Sequence, residues 1–170
     1  RLQCALIDRL AFVVGTKQRV EALSDEVISL ARSSGDRQLY AHALAATLVM
    51  AWIPESQAFA RFRERSEELL RVAEELEDAE LSVEAYRWRF TLCMIGGALD
   101  DARRALDAYE RVGAQLARPQ LRFNALLRRN MLACVEGRFD VAARLIAEID
   151  GAARRAGDAQ GEFLKIAAAF

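Results

Sequence analysis

The chain has 170 residues, of which 53% are hydrophobic and 29% charged, and its formal net charge is -1. That length suits one domain or a short repeat array, the apolar share excludes intrinsic disorder, and the charge excludes a protein held on nucleic acid by a broadly basic surface. Nine Gly and two Pro are few for a sandwich or barrel, and the mix of Ala, Leu, Glu and Arg predicts helices.

In chain order, the first predicted helix covers residues 2–14 and stops at Gly15; the second covers 17–34 and stops at Gly35. Asp36 is an N-cap for a third helix over 37–52, whose stretch from Leu39 to Ile53 is apolar nearly all round. Pro54-Glu55-Ser56 forms the next turn, with Ser56 a cap for an amphipathic helix over 57–76 that carries Arg61, Arg63, Glu64, Glu67 and Glu68. Asp78 caps 79–95, Gly96-Gly97 makes a turn, and 99–116 follows with Asp100 as a candidate cap. Arg118 followed by Pro119 starts 119–136, since Pro is favoured at the first helical position. Gly137 ends that helix, 139–156 is the eighth, and Asp158 opens a ninth over 159–170.

These starts recur. Asp36, Asp78, Arg118 and Asp158 are spaced by 42, 40 and 40 residues, and the step from Gly15 to Asp36 equals that from Gly137 to Asp158, at 21. Each unit therefore reads as helix, turn, helix, turn. The first helix of a unit is apolar on all sides and belongs between neighbours; the second is amphipathic and belongs to a wetter outer layer. The expected fold is an all-α solenoid of antiparallel helical hairpins at about 1–35, 36–77, 78–117 and 118–157, with a fifth beginning at 158–170. Both ends fall inside a unit, so the array is expected to be a piece of a larger chain.

A solenoid presents its first helices on the concave side. The groove-facing stripes are then His42, Ala45, Val49 and Trp52; Glu84, Arg87, Thr91 and Met94; and Asn124, Leu127, Met131 and Cys134. His42, Glu84 and Asn124 form a polar row across three units, with Arg87 one turn along and apolar Trp52 and Met131 beside it. Such a surface would hold a protein or peptide partner, or a small-molecule inducer, by hydrogen bonds over an apolar floor. The plainer alternatives are a core histidine at His42, gap-filling by Trp52 and Met131, and an Arg87–Glu84 pair that is only structural.

No catalytic, metal or cofactor motif appears. A P-loop, HExxH and GxSxG are all missing, His42 is the only histidine, and Cys4, Cys93 and Cys134 are too far apart for a zinc set. They read as buried free thiols of a cytoplasmic protein. Acid pairs such as Glu67-Glu68 and Asp100-Asp101 read as solvated faces. Arg128-Arg129 and Arg154-Arg155 are basic, but acids accompany most arginines, so this segment is not expected to contact nucleic acid directly. No uncharged apolar stretch is long enough to cross a membrane. A homo-oligomer is compatible with all of this, and the preference for arginine over lysine reads as a GC-rich bacterial genome.

Ala133-Cys134-Val135-Glu136-Gly137-Arg138-Phe139-Asp140-Val141-Ala142 resembles the turn of the tetratricopeptide class of repeats: a Gly, an aromatic two later, a small Ala three after that. Gly97, Leu99 and Ala102 repeat it, and Gly15, Lys17 and Val20 do so more weakly. The period near 40 departs from that family's 34, and Leu126 and Asn130 stand where it has Trp and Gly. Segments such as Arg19-Val20-Glu21-Ala22-Leu23-Ser24 are similar to the helical repeat region of large ATP-binding LuxR-type transcription regulators of the maltose-activator kind. The resemblance implies a right-handed superhelix, and a non-enzymatic region that receives an inducer or partner and restrains ATPase and DNA-binding domains. A stand-alone interaction scaffold with no link to transcription is the rival expectation.

Overall fold

A computed structural model describes residues 2–11, 13, 15–49 and 56–156. Among them the chain is all helical: α1 (Leu2–Leu10), α2 (Lys17–Ser33), α3 (Arg37–Thr47), α4 (Ser56–Glu75), α5 (Ala79–Ile95), α6 (Leu99–Gln115), α7 (Pro119–Val135) and α8 (Phe139–Ala156).

The starts follow local chemistry. Asp36 is extended and its carboxylate accepts the Leu39 N–H; Asp78 does the same for the Glu80 and Leu81 N–H groups. These are the first-turn donors that no helix can satisfy internally. Pro119 supplies the same solution without a side-chain cap, because a proline at the first position has no N–H to satisfy. Asp100, expected as a cap, is not one: the helix begins after Ala98, and Asp100 instead pairs with Arg103 in the first turn. The described part of α4 begins at Ser56 itself, and the turn expected before it lies outside the described residues.

The stops use the left-handed conformation. Gly97 and Gly137 have φ of +73° and +72°, and the chain then folds back so that the Ala98 N–H meets the Cys93 carbonyl at 2.9 Å and the Arg138 N–H meets Ala133 at 2.8 Å. This bond from the second residue past the cap closes the helix C-terminus. Glu77 and Ala117 occupy the same conformation, with φ of +52° and +50°, although each carries a Cβ. That conformation costs an L-residue about 1–2 kcal/mol, which glycine avoids. Ala117→Gly is therefore expected to raise the unfolding free energy by roughly 1 kcal/mol, and Gly137→Ala to lower it by a similar amount. A Cβ at Gly137 would meet nothing within 4 Å, so its effect is backbone strain alone. Urea midpoints at unchanged slope measure both; a shift of the same sign in the two variants would refute the account.

Two helices are shorter than the sequence predicts. The first ends at Leu10, where the Thr16 hydroxyl donates to the carbonyls of Leu10 and Val13 at 2.7 Å and absorbs the freed acceptors. The third tightens into 3₁₀ geometry at Leu48–Val49, and the rest of its predicted span lies outside the described residues.

Consecutive helices pack against one another, and α3 also touches α1 and α5. The core is a succession of clusters along the chain. One joins α1 through α5 around Ile7, Val20, Leu44, Leu69 and Trp88; the next joins α5, α6 and α7 around Phe90, Leu106 and Tyr109; the last joins α7 and α8 around Phe123 and Ile149. Helix α5 feeds the first two, which is why buried residues circle it: Leu81, Val83, Ala85, Trp88, Phe90 and Leu92. Fully buried alanines such as Ala41, Ala85, Ala102 and Ala133 let backbones approach closely. The outer faces carry ion pairs, Arg144 to Asp140 at 3.0 Å among them, and exposed pairs contribute little.

The expectation of three buried thiols fails: Cys4 and Cys93 are half-buried and Cys134 is exposed. Cys134 lies one helical step beyond Met131, on a stripe of α7 that is open to solvent at both positions.

Candidate functional site

Helices α3, α5 and α7 contribute the walls of one groove of about 1280 Å³. Of the residues placed on the groove stripes from sequence, His42, Ala45, Val49, Glu84, Arg87, Thr91, Met94, Asn124, Leu127 and Met131 line it. Cys134 does not, and Trp52 lies outside the described residues. His42 is exposed, so it is not a core histidine, and Met131 keeps 44% of its surface rather than disappearing into a gap.

Most polar groove residues lie nearer the helix starts, although apolar Leu39 and Leu81 also line the groove there. Gln38 and His42 precede Ala45 and Val49 on α3; Asp78, Glu80 and Glu84 precede Met94 and Ile95 on α5; Gln120 and Asn124 precede Leu127 and Met131 on α7. At the start of α5 two of these polar residues serve the helix cap. The Gln38 amide donates to Asp78 Oδ2 at 2.9 Å while Asp78 caps α5. Burial raises the Asp78 carboxyl, but the Gln38 amide and the two backbone N–H groups outweigh it, with His42 adding to them, and it ends below the ordinary range.

The middle of the groove holds two guanidinium groups on aromatic rings. Arg87 lies over Trp88, its Cζ 4.6 Å from the ring centroid, and pairs with Glu84. Glu84 Oε1 also accepts the Trp88 indole N–H at 2.8 Å. The pairing anticipated from their spacing is present, yet Arg87 Nε is buried without a hydrogen-bond partner. Arg128 lies over Tyr109, 5.1 Å from its centroid, and donates through Nη1 to the Asn124 carbonyl at 2.8 Å. Burial lowers Arg128 to about 10; Tyr109 and Glu84 favour its charge and Arg87 opposes it. The Tyr109 hydroxyl is raised, again chiefly by burial.

Arg128 was missed as a groove residue. Beside Arg129 it looks like half of a surface basic pair, but the two diverge: Arg129 Nε reaches Glu110 at 2.5 Å on α6, while Arg128 turns to Tyr109 and the groove. The signal was its place four residues after Asn124, on the same stripe. Trp88 and Phe90 are core residues at 1% exposure and also underlie the groove.

Among the described residues no group of three or more His, Cys, Asp or Glu side chains is disposed to hold a metal, and no helix is long and apolar enough to cross a membrane. No protein-family model, curated protein or solved structure matches the chain.

Proposed function

We propose that this chain is a non-enzymatic binding module, a right-handed tetratricopeptide-like solenoid whose groove receives a partner or inducer on behalf of a larger bacterial transcription regulator. The observation that carries the reading is the convergence on one groove of His42, Glu84, Arg87, Thr91, Asn124 and Met131 from three helices. Helix starts at Arg37, Ala79 and Pro119, and a core that passes from one cluster to the next, support the repeat architecture. The regulator setting rests on the sequence resemblance. The mechanism is differential binding: a ligand that prefers one packing of the groove helices shifts the equilibrium of the domains attached to them.

Two measurements test this. Nile red, a neutral environment-sensitive dye, is expected to bind the groove, and Met131→Glu to weaken it about tenfold by placing a charge on the apolar wall. Equal dye binding by the variant removes the groove from the account. The complete reading frame is expected to encode a P-loop ATPase and a helix-turn-helix; a chain without them overturns the regulator setting and leaves a scaffold.

A further inference from the structure

The groove has a charge imbalance at its centre. Two guanidinium groups, Arg87 and Arg128, face it, and one carboxylate, Glu84, is paired there, with Arg87. No carboxylate of the described residues lies within ion-pair distance of Arg128, whose hydrogen bond runs to the neutral carbonyl of Asn124. A cation withdrawn from water without an opposite charge is costly, and a nearby second cation adds to the cost. On the same wall, Arg87 Nε is buried without a hydrogen-bond partner. An anion arriving between the two guanidinium groups offsets both the missing counter-charge and their mutual repulsion.

The surroundings orient that anion. Asp78 and Glu80 lie toward the start of α5 and repel a negative ligand from that end. In the other direction Met94, Ile95 and Met131 offer an apolar wall, with Ile95 and Met131 at 40% and 44% exposure. From Arg87 to Met94 is seven residues, or roughly 10 Å at the helical rise. The net excess of a single positive charge matches a monoanion better than a dianionic phosphate.

Resting on the groove reading above, we propose that the groove is built for a small amphiphilic carboxylate: its head between Arg87 and Arg128, its apolar body along Met94 and Met131. Guanidinium groups held over the Trp88 and Tyr109 rings are already restricted, so less side-chain entropy is lost when they bind a carboxylate.

Octanoate, whose chain matches the length of the apolar wall, is the probe, with octanol as the neutral and octyl phosphate as the dianionic comparison. Displacement of Nile red from the wild-type chain is expected with octanoate at concentrations about tenfold below those needed for octanol. Arg128→Gln is expected to abolish that difference, with each competitor referred to the variant's own affinity for the dye. As a check that needs no variant, octanoate is expected to lose its advantage when the pH falls below its own pKa, with the protein still folded by circular dichroism. If octanoate and octanol compete equally, or octyl phosphate or an acidic peptide competes better than octanoate, the carboxylate assignment falls while Met131-dependent dye binding keeps the groove. If the dye itself does not bind through Met131, both readings fall.

Discussion

Trp88→Ala is expected to lower the unfolding free energy by about 3–5 kcal/mol, the cost of emptying a large buried aromatic site. Among the described residues Trp88 is the largest fully buried side chain, at 1% exposure, and it packs in the cluster that joins α1 through α5. Its removal opens a cavity beneath the groove, withdraws the indole donor from Glu84, and leaves Arg87 without the ring on which it lies. For a chain of this size that loss corresponds to a melting temperature lower by roughly 6–20 °C. Trp88→Phe keeps most of the apolar volume and a ring under Arg87, so it is expected to recover the larger part of the loss. Urea unfolding followed by circular dichroism measures both; an Ala variant within about 1 kcal/mol of wild type would show that Trp88 is not a keystone of the core.

Ala142→Leu is expected to cost about 1–3 kcal/mol through overpacking. Ala142 is buried at 6% exposure, and its carbonyl accepts the side-chain amide of Asn130 at 3.0 Å, so α8 lies against α7 at this point. A leucine there must push the helices apart or strain that bond. Ala143, its exposed neighbour, is the control: Ala143→Leu is expected to change stability by no more than about 0.5 kcal/mol. Equal effects at the two positions would mean that the α7–α8 register is wrong. Ala102 precedes Ala142 by 40 residues and is fully buried, so Ala102→Leu is expected to be at least as damaging.

Much of the helix map was legible because caps and turns are local. Asp36, Asp78, Arg118-Pro119, Gly97 and Gly137 state the starts and stops without reference to the rest of the chain. Glu77 and Ala117 were not legible as left-handed positions, since neither residue type favours that conformation and only the packing of the adjoining helices imposes it. The end of α1 was also missed, because it depends on a hydroxyl at Thr16 rather than on an apolar period.

The groove divides in the same way. Helical spacing alone placed His42, Glu84, Arg87, Thr91, Asn124 and Met131 on facing stripes, because spacing determines which residues share a helical face. It could not distinguish Arg128 from Arg129. Adjacent on one helix, they point about 100° apart, and which of them meets carboxylates and which meets a buried tyrosine depends on what α6 offers on each side. The sequence by itself determined the helices, their order and the faces that carry charge. The tertiary structure decided which cation lost its water without gaining a counter-ion, since desolvation depends on the neighbours brought close by folding rather than on the identity of the residue.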